Sequence, residues 1–220
     1  MYNFYTFYEI FQIIHEICTI IEFRNYLENS YAERSILMSM PVPKPEIYTI
    51  QHIYDLPEGQ RAELIDGQIY NMAPPARIHQ ELVSGFHYKI RDFIDSTKGS
   101  CRIYPAPFAV FLNQDERNYV EPDISVICDT DKLNDKGCSG APDWIIEIAS
   151  PGTKHMDYGI KLFKYRTSGV REYWIVNPMT RIVNVYDLEH DVKTDQYTFQ
   201  DEIPSCLFGE LIIRPEELLP

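Results

Sequence analysis

The feature that most constrains the fold is a pair of acidic residues in two short apolar runs. Asp123 opens the run 124–128, and Glu147 lies in the middle of the run 144–149. Runs of this length and composition predict buried β-strands. A carboxylate in a buried strand costs several kcal/mol unless a cation or hydrogen bonds compensate it. The two acids therefore predict a hydrolytic metal site rather than ordinary core.

Two Pro-Asp pairs compete for the first acid, at Asp123 and Asp143. Asp143 shares a strand face with Glu147, but four residues at about 3.3 Å rise separate the two acids by roughly 13 Å, too far for one small cation. Asp123 comes from a different strand, and neighbouring strands lie only about 4.8 Å apart. We therefore assign the site to Asp123 and Glu147 and interpret Asp143 as a strand-start residue.

Composition favours one sheet-rich domain. The chain has 220 residues, 45% of them hydrophobic, which suffices for a sizeable core. Its 16 tyrosines, 11 phenylalanines and 15 prolines favour a sheet over a helical bundle. The net charge of −13 opposes nucleic-acid binding, which normally needs a basic surface. The five cysteines are scattered without a CxxC pair, which predicts reduced thiols.

Residues 1–39 differ in character from the rest of the chain. Their aromatic and apolar stretch is interrupted by Glu9, Glu16 and Glu22, so it falls short of the roughly 20 apolar residues of a membrane span. It also lacks the features of a signal peptide. An upstream extension and a genuine docking helix explain it about equally well. We place the domain at residues 40–220 and predict that the extension is a helix outside its core.

Three further polar residues lie on elements near the strands. Glu63 belongs to a hairpin predicted by the turn pair Asp66-Gly67, and a solvated edge acid is favoured over a site acid there. His79 lies in the apolar stripe of a helix predicted over 78–94, with Gln80 at the edge of the same face. A satisfied core histidine is favoured unless this stripe packs over the carboxylates.

A second helix is predicted over 155–168, followed by Gly169 as its C-cap. Asp157 and Lys161 lie one turn apart on it, with Lys164 on the same face. An exposed ion pair between Asp157 and Lys161 explains both residues without any site. The stripe expected to be buried consists of Met156, Ile160 and Phe163.

The order of helix, three strands, helix and strand resembles the core of the PD-(D/E)XK nuclease fold. Four segments are similar to the Uma-two family of restriction endonucleases: AELIDGQIYNMAPPARIHQ, VEPDISVI, APDWIIEIASPGTKHMD and GIKLFKYRTSGVREYWIVNP. The resemblance spans about residues 47–219. It implies an α/β (α+β) fold with a restriction-endonuclease-like core, in which helices flank a mixed β-sheet with extra β-hairpins.

The resemblance also implies a Mg²⁺- or Mn²⁺-dependent endonuclease that hydrolyses DNA phosphodiester bonds. Asp123 and Glu147 match the two motif acids, as catalytic residues and metal ligands. The lysine usual two residues after the second acid is replaced by Ala149. Lys161, on the following helix, matches a migrated catalytic lysine.

Accessory residues and partners follow from the same resemblance. Glu63 and His79 match positions that the family uses, and Gln80 beside them is a further accessory candidate. DNA is the implied partner, RNA and a homodimer are left open, and no membrane partner is expected. The scattered cysteines separately favour the cytoplasm. A second interpretation, which the negative charge favours, is a catalytically weak or inactive nuclease-fold module that binds nucleic acid or a protein.

Overall fold

Residues 46–190 and 194–220 are the part of the chain that this computed structural model describes. In chain order the helices and strands are α1 (Ile50–Tyr54), β1 (Ala62–Ile65), β2 (Gln68–Asn71), α2 (Arg77–Ser96), β3 (Arg102–Pro105), β4 (Val110–Phe111), β5 (Ile124–Ile127), β6 (Leu133–Asn134), β7 (Gly137–Ser139), β8 (Trp144–Ile148), a π-helical segment (Met156–Lys161), α3 (Leu162–Ser168), β9 (Glu172–Asn177), β10 (Ile182–Asp187), β11 (Thr194–Thr198), β12 (Ile203–Pro204) and β13 (Ile212–Ile213), with short 3₁₀ turns at Thr130–Lys132 and Pro215–Leu218. The chain divides into two units, Met1–Pro45 and Glu46–Pro220. The helix predicted within residues 1–39 lies outside the described residues.

A mixed sheet of six strands organises the second unit, in the order β11-β10-β9-β8-β5-β3. β8 and β9 are parallel and are connected through the π-helical segment and α3. The other neighbours in this sheet pair antiparallel. The additional hairpin of β1 and β2 turns at Asp66 and Gly67, both with positive φ, as the turn pair predicted. This architecture is the mixed α+β fold that the resemblance implied.

Successive side chains along the central strands point to opposite faces of the sheet, so the hydrophobic core is divided between the two faces. Trp144, Ile146 and Ile148 of β8 share one core with the buried stripe of α2. Ile145 and Ala149 belong to the other core, with residues of α3 and of the β1–β2 hairpin. Glu147 lies between Ile145 and Ala149 in this alternation, so its side chain projects toward α3 rather than toward α2.

Several strands beside the centre of the sheet are short. β3 and β4 are separate strands, because Pro105 and Pro107 lack the N–H that a continuous ladder needs. The strand predicted over the run 124–128 is β5, and two isolated bridges at Tyr119 and Val120 precede it. The segment between β5 and β8 contains the short strands β6 and β7.

The helix predicted over 155–168 differs in its first half, which is π-helical from Met156 to Lys161. A π turn holds more residues than an α turn, so faces assigned at 100° per residue are displaced. Phe163, predicted to be buried, is 68% exposed. Asp157 and Lys161 are buried, so the interpretation of these two residues as an exposed ion pair is wrong. Gly169 ends the helix with φ +96°, as predicted.

A disulfide joins Cys101 and Cys128, so the expectation of reduced thiols is wrong for this pair. β3 and β5 are antiparallel, and Arg102 lies opposite Ile127 at the end of their pairing. The residues one position beyond this pair, Cys101 and Cys128, therefore lie opposite each other as well. The sequence did not indicate this pair, because it depends on strand register. Among the other described cysteines, Cys138 and Cys206 are free thiols.

Candidate active site

A buried carboxylate on β8 is the centre of the candidate site. Glu147 is 4% exposed, and its Oε1 accepts hydrogen bonds from Lys161 Nζ at 2.9 Å and from the Tyr165 hydroxyl at 2.7 Å. Both donors come from the helical connection that follows β8: Lys161 is the last residue of the π-helical segment, and Tyr165 lies in α3. The lysine therefore points toward Glu147 and away from solvent, as a catalytic role requires.

Asp123 lies immediately before β5, next to Glu147. Its backbone N–H is 3.4 Å from Glu147 Oε2, and its own Oδ2 accepts a hydrogen bond from Ile148 N at 2.8 Å. His79 Nε2, from the first turn of α2, lies 3.1 Å from the same Oδ2. The antiparallel pairing of β5 with β8 produces this arrangement, since it places Ile124 opposite Ile146.

Glu63 also belongs to this cluster, so its interpretation as a solvated edge acid is wrong. It is 4% exposed, and its Oε2 lies 2.8 Å from Lys161 Nζ. Its Oε1 accepts a hydrogen bond from Glu121 N at 3.0 Å. The β1–β2 hairpin packs on the same core as α3, and this packing brings Glu63 to the lysine.

Negative charge exceeds positive charge in this buried region. Among the described residues, Glu63, Glu147 and Asp157 provide three carboxyl groups around the ammonium of Lys161, and Asp123 adds another beside Glu147. Burial raises the pKa of Glu147 well above its ordinary value; Lys161 opposes the rise, and the neighbouring acids add to it. Burial alone would lower the pKa of Lys161, but Glu147, Glu63 and Asp157 raise it well above its ordinary value.

Asp157 is the fourth acid of the cluster, and its exposed fraction is only 2%. Burial raises its pKa to about 6, against the opposing effects of Lys161 and of a hydrogen bond with Thr153. An excess of carboxyl groups with raised pKa values is the electrostatic environment that a divalent cation would relieve.

The chemistry of the donors fits a hard cation. Asp123 and Glu147 offer carboxylate oxygens, the ligands that Mg²⁺ prefers. In the described ranges, no group of three His, Cys, Asp or Glu side chains is arranged to hold an ion by itself. Two carboxylates with several retained waters are typical of Mg²⁺ sites, whereas a structural zinc site needs four protein ligands.

Three residues named from the sequence lie outside this cluster. Asp143 accepts hydrogen bonds from Cys128 N at 2.7 Å and from Arg171 Nη1 at 3.1 Å, in agreement with a strand-start role. Gln80 is exposed. Lys164 is buried and its Nζ lies 2.5 Å from Asp66 Oδ1, at the turn of the β1–β2 hairpin.

Sequence reasoning missed Tyr165 as a member of the site. Tyr165 is fully buried and contacts the acid that the sequence had already singled out. One signal was available, because Tyr165 follows Lys161 by four residues and therefore shares its helix face.

Comparison with known proteins identifies the family. The Uma2 family model, described as "Putative restriction endonuclease", matches residues 48–214. The chain belongs to the Uma2 family. This Uma2 chain is 26% identical over 156 residues to the uncharacterized protein slr1290 of Synechocystis sp., covering 70% of the chain and 79% of that protein.

A solved structure has the same fold as this Uma2 domain. It is the crystal structure of "a putative nuclease belonging to DUF820" from Anabaena variabilis, which matches with a TM-score of 0.63 at 22% identity. The match covers 77% of this chain and 96% of that one. The resemblance noted from the four sequence segments is confirmed. Within the described residues, no helix is long and apolar enough to cross a membrane.

Proposed function

We propose that this Uma2 chain is a Mg²⁺- or Mn²⁺-dependent endonuclease that hydrolyses phosphodiester bonds in DNA. One observation carries the proposal: Asp123 N approaches Glu147 Oε2 at 3.4 Å, while Lys161 Nζ lies 2.9 Å from Glu147 Oε1. The backbone of Asp123 thus lies beside the Glu147 carboxylate, whose pKa the charge of Asp123 helps to raise, and a buried ammonium contacts the same carboxylate. Membership in a family described as restriction endonucleases supports the same reaction class.

Each residue of the site has a separate role in this proposal. Asp123 and Glu147 would hold the cation, with waters completing its coordination. When bound, the cation neutralises charge on phosphate oxygens and lowers the pKa of a coordinated water. Lys161 would stabilise negative charge that develops on the scissile phosphate. His79 would orient Asp123, and Glu63 would hold Lys161 in place.

A binding module without strong catalysis is the alternative function, and two observations favour it. The net charge of −13 weakens attraction to a phosphate backbone. Lys161 is already paired with both Glu63 and Glu147, so its charge is partly neutralised before any substrate binds. We favour the nuclease, acting on DNA, because an inactive module has no need of a buried acid cluster with excess negative charge.

Nicking of supercoiled plasmid DNA tests the proposal. The wild-type chain is expected to nick it in Mg²⁺ or Mn²⁺ but not in EDTA, and labelled RNA of matched length tests the nucleic acid preference. Asp123→Asn and Glu147→Gln are expected to abolish nicking, whereas Asp143→Asn, the acid of the other Pro-Asp pair, should retain it. Binding of plasmid without cleavage in every condition would favour the module instead.

A further inference from the structure

Glu147 presents its two carboxylate oxygens to different surroundings. Oε1 accepts hydrogen bonds from Lys161 at 2.9 Å and from Tyr165 at 2.7 Å. From the described residues, Oε2 has one donor, Asp123 N, at 3.4 Å. A separation of this length is at the weak end of hydrogen bonding. One oxygen is thus occupied by two strong donors, and the other is nearly uncommitted.

Asp123 shows the same division. Oδ2 accepts the hydrogen bond from Ile148 N at 2.8 Å and lies 3.1 Å from His79 Nε2. No residue in the described ranges donates a hydrogen bond to Oδ1. Within the described residues, each acid therefore has one oxygen held by strong donors and a second oxygen with a weak donor or none.

We propose that Tyr165 is a positioning residue, which holds Glu147 Oε1 so that Oε2, beside Asp123, is presented to the cation. The inference rests on the metal-dependent function proposed above. Hydrogen bonds to a ligating carboxylate fix its orientation, and their removal typically costs about 10- to 100-fold in metal affinity or activity. Lys161 ends the π-helical segment and Tyr165 follows it in α3, so the one helical connection after β8 supplies both donors to Oε1.

Burial alone does not explain why the Tyr165 hydroxyl contacts Glu147. A buried tyrosine hydroxyl needs a hydrogen-bond partner, but a backbone carbonyl is sufficient. Tyr173 demonstrates this next to it: the two rings pack edge to face with centroids 5.0 Å apart, and the Tyr173 hydroxyl donates to Asp157 O at 3.1 Å. Both tyrosines are fully buried. Tyr173 is therefore the matched control, because its variant loses the same hydroxyl but the hydrogen bond that is lost goes to Asp157 O and not to Glu147.

Calorimetric titration of Mn²⁺, without DNA, tests the positioning role. Tyr165→Phe is expected to weaken Mn²⁺ binding by about 10- to 100-fold, whereas Tyr173→Phe should stay close to the wild-type affinity. Equal affinities of wild type and Tyr165→Phe, or equal losses in both variants, would overturn the positioning role alone. Failure of the wild-type chain to bind Mn²⁺ would overturn the metal site and the positioning role together.

Infrared difference spectra of the wild-type chain, with and without Mn²⁺, provide a second measurement that needs no variant to fold. Because Glu147 Oε1 and Asp123 Oδ2 are already occupied by protein donors, both acids are expected to bind through one oxygen. The carboxylate bands should then show the wide splitting of monodentate coordination. A narrow splitting, which indicates bidentate coordination, would contradict the proposal even if Mn²⁺ binds tightly.

Discussion

Lys161 Nζ and Glu63 Oε2 lie 2.8 Å apart in the buried site, although 98 residues separate the two side chains along the sequence. The contact joins the helical connection after β8 to the β1–β2 hairpin. The ammonium of Lys161 pairs with two acids at once, since Glu147 Oε1 is 2.9 Å from the same nitrogen. The lysine therefore contributes to the stability of the fold as well as to the proposed chemistry.

Replacement of Lys161 by methionine is expected to lower the free energy of unfolding by about 3–5 kcal/mol, because Glu63 and Glu147 would remain buried without their cation. Nicking should slow by about 100-fold or more under conditions where the variant is folded. Urea unfolding and single-turnover cleavage measure the two effects.

Lys164→Met is the matched control for Lys161→Met. Lys164 pairs with Asp66, whose side chain is 66% exposed, so loss of this pair should cost only about 0–1 kcal/mol. Its nicking rate should remain close to that of the wild type. If Lys164→Met slowed nicking and Lys161→Met did not, the assignment of the migrated lysine would be wrong by one helical turn.

The raised pKa of Asp157 predicts how stability depends on pH. Its carboxyl has a pKa of about 6 in the folded chain and an ordinary value of 3.8. Between these values the folded chain binds more protons than the unfolded chain, so the free energy of unfolding decreases as pH rises from about 4 to 6. The full penalty, at most about 3 kcal/mol, is present above pH 6 and absent below pH 4.

Asp157→Asn should remove this pH dependence. Measured by urea unfolding in EDTA, the variant should be more stable than the wild type at pH 7.5 and nearly equal to it at pH 4. Asp92→Asn, at an exposed position of α2, is the control for loss of one negative charge. A variant at position 157 that is less stable at pH 7.5 would show that the Asp157 carboxylate is stabilising.

The proximity of Asp123 and Glu147 was predictable because its signal is local. Asp123 and Glu147 stand out as acids in apolar runs, and strand spacing alone favours Asp123 over Asp143. The turn at Asp66 and Gly67 and the end of α3 at Gly169 were likewise predictable, because each depends on a short backbone motif.

The surroundings of the acids were not predictable from local patterns. The place of Glu63 depends on the packing of a hairpin far away in the sequence. The burial of Lys161 depends on a π-helical segment, which displaces side chains relative to an ideal α-helix. The disulfide of Cys101 and Cys128 depends on the register of β3 and β5. No local pattern in the sequence specifies any of these features.

Deletion of residues 1–39 tests the predicted domain boundary. If these residues lie outside the domain core, the melting temperature and the nicking rate should remain nearly unchanged. Differential scanning fluorimetry of the full chain and of residues 40–220 measures the first effect. A large decrease in melting temperature would show that the aromatic segment belongs to the core.

Anomalous diffraction from crystals soaked in Mn²⁺ tests the proposed metal site most directly. The account predicts an anomalous peak at about 2.0–2.6 Å from one oxygen of Asp123 and one oxygen of Glu147. The same soak of Glu147→Gln should lose the peak. A peak that contacts neither acid would contradict the account. So would the absence of a peak when the same protein preparation nicks DNA in Mn²⁺ in solution.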